Sequence, residues 1–236
     1  MTPPLVRRAL AELLGTAFLV AAVVGSGIAA ARLSPHDIGL QLLENSVVTG
    51  AALVALIVAL QPVSAAFNPV VTLVERALGA IGTLDAAVLV AAQLVGGALG
   101  TIGANVMFGL SAVDLSAHHR ASGAHLFAEV VATLGLLIII FGTTRSGRAD
   151  RVAFAVGGYI LAAYWFTSST SFANPAVTIA RTLSDTFAGI APSSVPGFVA
   201  MQLIGGLVGF VVIRVLFPRP DELAARLTAD PPGSSP

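Results

Sequence analysis

No cysteine occurs among the 236 residues, which excludes disulfides, thiolate metal sites and thiol chemistry of the chain's own. Lysine is missing as well: all twelve basic residues are Arg, and twelve acidic residues balance them, so net charge points to no nucleic-acid partner. Charge of either sign is scarce, at 10% of the chain against roughly 25% in a soluble domain. What is abundant is apolar: 56% of residues are hydrophobic and the mean hydropathy is +0.91. The uncharged runs leave no stretch long enough for a soluble domain, so this is the composition of an integral membrane protein. No nucleophile–base pair or metal-ligand spacing points to an enzyme.

A helix crossing a ~30 Å hydrocarbon core needs about 20 mostly apolar residues. Six stretches qualify, at about 9–31, 40–60, 84–108, 124–143, 152–169 and 195–217. The first is too long for a signal peptide and lacks a convincing cleavage pattern, so it is kept as a span. Two apolar pieces, about 68–79 and 174–184, are only about half that length and can cross only half a bilayer. The Pro/Ser-rich end, about 219–236, reads as a disordered tail.

Arginine placement sets the orientation. With six crossings and a first short helix that dips in and returns, Arg7, Arg8, Arg76, Arg145, Arg148, Arg151, Arg214, Arg219 and Arg226 share one side. Arg32, Arg120 and Arg181 share the other. Nine against three predicts that both termini are cytoplasmic, in a multi-pass protein of the cell (inner) membrane.

The two halves repeat. "ALAELLGTAFLV" and "HLFAEVVATLGLL" share Ala-Glu and a Thr four residues after Glu12 or Glu129. "AAFNPVVTL" matches "SFANPAVTI", and "AQLVGGALG" matches "MQLIGGLVG". Three spans per half turn the second copy upside down, an inverted repeat of about 5–108 and 123–217 within one membrane domain.

Each copy carries Asn-Pro at the start of its short helix. Irregular backbone survives at membrane depth only when buried in protein or lining a wet cavity. Asn is a favoured N-cap, and Pro at the first helical position has no amide hydrogen to leave unpaired. Asn68-Pro69 and Asn174-Pro175 are therefore predicted to open two half-helices that enter from opposite faces and meet near the midplane. One copy alone reads equally well as a loop turn; two at matching places decide for the half-helices. Their N-terminal dipoles repel a cation, and asparagine amides turned into the lumen offer donors to a neutral solute.

Asn68-Pro69-Val70, Asn174-Pro175-Ala176, Glu12 with Glu129 and Gln93 with Gln202 resemble the major intrinsic protein family, the aquaporins and aquaglyceroporins, over about residues 7 to 217. The resemblance implies a right-handed all-α bundle of six spanning helices and two re-entrant half-helices around a central pore. It also implies homotetramers with one pore per subunit, and passive transport without cofactor or metal. Glu12, Glu129, Gln93 and Gln202 then have a structural task, accepting and making hydrogen bonds around the re-entrant loops; the competing use of the carboxylates is in a proton-coupled transporter.

This chain departs from the family pattern at Val70, where Ala is usual, and at Val177, where family members place an Arg after the second Asn-Pro-Ala. Counting along that pattern puts the constriction at Val48, Ala162, Ser171 and Val177, with Thr49 as the alternative to Val48. Four small or apolar residues make a wide, weakly polar mouth. Replacing Arg by Val removes up to five donors, a charge and most of the side-chain length. The competing possibility is that Arg181 or a loop aromatic fills the gap. Residues 164 to 192 look like the bacterial aquaglyceroporins associated with arsenic resistance, which implies neutral substrates such as arsenous acid and organoarsenicals beside glycerol and water. The remaining alternatives are a water-selective channel, a general glycerol facilitator and a purely structural membrane protein.

His118 and His119, beside Asp114 and Arg120, read as a solvated loop in preference to a metal site or pH gate. Tyr164, Trp165 and Phe166 read as an interfacial aromatic belt, with Tyr164 reaching the pore as the alternative. The pairs Gly96/Gly100 and Gly205/Gly209 are expected to pack the two halves against each other.

Overall fold

The computed structural model describes residues 2–218; the expected tail at 219–236 lies outside them, as do Arg219 and Arg226. Among the described residues there are eight α-helices and no strand. The helices are α1 (Leu5–Leu33), α2 (Ile38–Leu60), α3 (Pro69–Ala77), α4 (Thr83–Met107), α5 (Gly123–Arg145), α6 (Val152–Phe166), α7 (Pro175–Ala180) and α8 (Val195–Leu216). Helices α1, α2, α4, α5 and α8 are long and apolar enough to cross a membrane. Helix α6, at 15 residues, is roughly 22 Å long and is entered through a 3-10 turn at Ala149–Arg151.

The starts of these helices follow local chemistry. Asp37 caps α2 by accepting from the Leu40 amide at 2.9 Å, and Ser122 caps α5 by accepting from the His125 amide at 3.2 Å. Asn68 and Asn174 cap α3 and α7, each with Pro at the first position, as the Asn-Pro pattern predicts. Helix α6 stops at Phe166, three residues short of the expected end at 169, because the chain must turn back towards the midplane. Thr167 is already extended, and Thr170, Ser171 and Ala173 take left-handed backbone conformations between φ 48° and 62°.

Hydrogen bonds tie the helix ends into two rims. On one side Arg8 pairs with Asp85, Gln61 donates to the Ala149 carbonyl, and Arg145 donates to the Phe217 carbonyl. On the other, Arg32 donates to the Phe108 carbonyl, and the 108–122 loop is pinned to the 181–194 loop through Asp114, Ser116 and Ala191.

In lipid no hydrophobic force drives helices together, so association depends on close packing. The glycine pairs serve this, although not as expected from the sequence. Gly96 and Gly100 seat α4 on α1, where an added Cβ would lie 2.3 Å from the Leu13 carbonyl and 2.2 Å from that of Ala17. Gly205 and Gly209 likewise seat α8 on α5, so both pairs pack helices within a half rather than one half on the other. The halves meet where α7 packs on α4, where α3 packs on α8 and, most extensively, where α2 crosses α6. There Gly50 and Gly157 face each other, each leaving no room for a Cβ beside the other's carbonyl. The two sequences, "TGAAL" and "VGGYI", carry no G-x-x-x-G signal.

Candidate functional site

A cavity of about 370 Å³ runs through the bundle, from Arg8, Gln61 and Glu75 at one mouth to Tyr164, Val177 and Arg181 at the other. Asn68 and Asn174 both line it. Their side chains stitch the half-helices together: Asn68 Nδ2 donates to the Ala173 carbonyl at 2.8 Å, and Asn174 Nδ2 donates to the Phe67 carbonyl at 2.7 Å. Each amide thus commits one donor to the opposite loop and keeps its second. Each Oδ1 accepts from its own helix's first amides, which aims the nitrogen across the gap.

The residues that present those two carbonyls, Phe67 and Ala173, are both held in the left-handed region, at φ 50° and 48°. A non-glycine residue there is strained, and the strain needs a compensating grip. The grip is a carboxylate. Glu12, fully buried, accepts from the amides of Ala66 and Phe67 at 2.8 and 2.7 Å, from Ser64 Oγ at 2.6 Å and from Gln93 Nε2 at 2.7 Å. Glu129 accepts from the amides of Phe172 and Ala173 at 3.0 and 2.8 Å and from Gln202 Nε2 at 2.6 Å. Gln93 and Gln202 each donate onward to a half-helix threonine, Thr72 and Thr178. Neither carboxylate lines the cavity.

At the Arg181 mouth the structure brings together Ser171 and Val177 but neither Val48 nor Ala162. Val48 is 42% exposed on the outer surface, whereas Thr49 is 3% exposed and lines the cavity. Ala162 is also exposed, and its place is taken by Tyr164, whose hydroxyl lies 3.2 Å from Thr49 Oγ1. Tyr164 therefore leaves the aromatic belt, which keeps Trp165 and Phe166; Trp165 Nε1 donates to Ser46 Oγ at 3.2 Å. Counting through the loop failed because loop length obeys no helical period. A sequence signal does exist in the four-residue spacing of Thr49, Leu53 and Ile57 on α2 with Gln61 just past its end, and of Val152, Val156, Ile160 and Tyr164 on α6. All eight line the cavity. Ser171 Oγ makes no hydrogen bond among the described residues.

Arg181 closes the lining at this end. It is 2% exposed, its Nε–H donates to the Ala188 carbonyl, and its guanidinium carbon lies 3.5 Å from the centre of the Phe172 ring. Arg120 sits beside it, 5.5 Å from the same ring, and burial lowers its pKa from the ordinary guanidinium value. His118 and His119 lie in the loop above, with His118 Nε2 3.7 Å from Asp185 and His119 Nδ1 3.3 Å from Ser193 Oγ. Among the described residues no three His, Cys, Asp or Glu side chains gather as a metal site.

A helical bundle in which two half-helices meet at paired asparagines beside a cavity joining the two rims is a membrane channel. The chain belongs to the major intrinsic protein family, whose profile matches residues 1–167. It is an integral membrane channel of the aquaglyceroporin type and not an enzyme. It is 47% identical to aquaglyceroporin AqpS of Rhizobium meliloti (strain 1021) over 213 residues, covering 90% of this chain and 91% of that one. To aquaporin A of Dictyostelium discoideum it is 34% identical over 161 residues, 62% of this chain and 56% of that one. The fold is shared with an aquaglyceroporin structure from Plasmodium falciparum, with TM-score 0.69 and 19% identity, over 95% of this chain and all of that one.

Proposed function

We propose that the chain is a passive channel for small neutral solutes, water and glycerol among them, and that its mouth also admits arsenous acid and organic arsenicals. The observation that carries the reading is Val177. The residue after the second Asn-Pro-Ala lines the cavity with an isopropyl group, where the family pattern has a guanidinium. Thr49, Tyr164, Ser171 and Val177 form the constriction in this reading. Hydroxyls on three of the four replace part of a solute's lost hydration, and none is an acidic or basic residue type.

Two inverted halves, about 5–108 and 123–217, make one channel domain, with Glu12, Glu129, Gln93 and Gln202 holding the re-entrant loops. The mirrored carboxylate grips support that division. The nine-to-three arginine distribution supports cytoplasmic termini in the cell (inner) membrane, which makes the Arg181 mouth the outer one. The family membership supports a homotetramer with one passage per subunit. The similarity to a protein called an aquaglyceroporin supports glycerol as a solute. The arsenic assignment rests on Val177 standing where the family pattern has an Arg, since arsenous acid at neutral pH is an uncharged triol of glycerol-like size.

Stopped-flow swelling of proteoliposomes with water, glycerol and arsenite tests the reading. Fluxes linear in gradient, with low activation energy and no response to protonophores, are expected. Saturating, protonophore-sensitive flux would replace the channel by a coupled transporter, and water flux alone would remove the broad specificity.

A further inference from the structure

We infer that Arg181 is the cation-excluding and solute-ligating group of the outer mouth, acting one helical turn beyond Val177. The inference rests on the channel reading above. Val177 and Arg181 are four residues apart, in α7 and at the start of the 3-10 turn Arg181–Leu183 that continues it, so the second guards the same column about 6 Å further out. Both line the cavity.

The position is built. Phe172 lies flat against the guanidinium as a cation–π shelf. Three successive carbonyls of one turn are shared between two arginines. Arg120 Nε donates to Gly189 at 2.9 Å and Arg120 Nη2 to Phe187 at 3.1 Å, while Arg181 Nε takes Ala188 between them. That turn cannot shift readily, because a Cβ on Gly189 would meet Ser116 Oγ at 2.3 Å and the Ser184 carbonyl at 2.4 Å.

This grip uses only one of Arg181's nitrogens. Among the described residues Nη1 and Nη2 make no hydrogen bond or ion pair, although the residue is 98% enclosed and lines the cavity. The nearby carboxylates are engaged elsewhere. Asp185 accepts from the Ala117 amide at 2.9 Å and sits by His118, and Glu129 is ringed by amides. A cation reaching this mouth therefore meets Arg181, with Arg120 behind it, in surroundings that screen poorly. A neutral amide or polyol meets the free N–H groups of two nitrogens instead.

Urea and guanidinium ion separate these effects, because they share a planar shape and differ in charge. In proteoliposomes of the full chain, Arg181→Gln is expected to raise the guanidinium-to-urea flux ratio at least tenfold, while Arg181→Lys keeps it close to the starting value. A ratio within twofold of the unmodified protein in Arg181→Gln overturns the inference. If Arg181→Gln does not assemble, Phe172→Leu removes the shelf and leaves the charge. A two- to fivefold rise in the ratio is then expected, and an unchanged ratio overturns it. Absence of urea flux in the unmodified protein is a separate result, which removes the broad-specificity channel reading itself.

Discussion

At one mouth of the passage Arg8 is paired with Asp85 at 2.7 Å, and Glu75 adds a further carboxylate to the lining; at the other, Arg120 and Arg181 flank one phenylalanine, Arg120 donating to two backbone carbonyls and Arg181 to one through Nε alone. The centre between them is mirrored down to single bonds, with an Asn, a left-handed residue, a Glu and a Gln from each half in matching roles. The mouths are not mirrored. Helix α3 runs nine residues, while α7 runs six and tightens into a 3-10 turn that carries Arg181. The loop before α3 has one left-handed residue and the loop before α7 has three, which brings Ser171 into the wall. The difference teaches that the two halves share the part that holds the re-entrant backbone. The parts that a solute meets first diverged.

The mirror breaks most visibly if its carboxylates are unequal. Glu12→Gln and Glu129→Gln each leave buried amides facing a group that no longer accepts all of them. Both are expected to cost about 3 kcal/mol or more, read as a fall in detergent-solubilised thermal stability. If one is tolerated, the two grips are not equivalent. Next in size comes a contrast between the glycine pairs. Gly100→Val drives a side chain into the Ala17 backbone carbonyl, whereas Gly209→Val meets the Leu137 side chain, which can move. The first is expected to cost about 3 kcal/mol and the second about 1 to 2, by the same stability measurement.

The mouths are compared by transport. Val177→Arg should slow glycerol and arsenite uptake about tenfold, equivalent to roughly 1.4 kcal/mol of barrier. Unchanged uptake would show that Val177 is not at the narrowest point. The smallest effect sharpens the register of α2. Thr49→Val loses the contact with Tyr164, worth about 1 kcal/mol, and should shift the glycerol-to-water flux ratio a few-fold, while Val48→Thr on the outer face should leave it within error. The opposite ranking would return Val48 to the wall.

Much of the site was legible because the motifs are local. Asn-Pro announces a cap and a helix start, and Asn68, Asn174 and the neighbours Ser171 and Val177, reached by counting a few residues along the chain, all line the cavity. The same counting failed at Val48 and Ala162. Both lie across a loop from their motif, and a slip of one residue on a helix turns a side chain by about 100°. The sequence leaves Tyr164 open between belt and pore because a terminal aromatic has the same composition whether it faces lipid or lumen. The glycine pairs were recognised as packing sites, but the sequence does not name a helix's partner, and α4 chose α1.

Hydropathy and arginine spacing, read along the chain, determined the membrane setting, the spans, the half-length helices and the inverted repeat, because each is a property of a contiguous stretch against the thickness of a bilayer. Only the tertiary structure decided that Asn68 and Asn174 bond each other's loops, that Thr49 and Tyr164 share the wall, and that Arg181 turns inward onto Phe172. Those choices join residues tens of positions apart. They are settled by which buried donor finds an acceptor once the helices have packed.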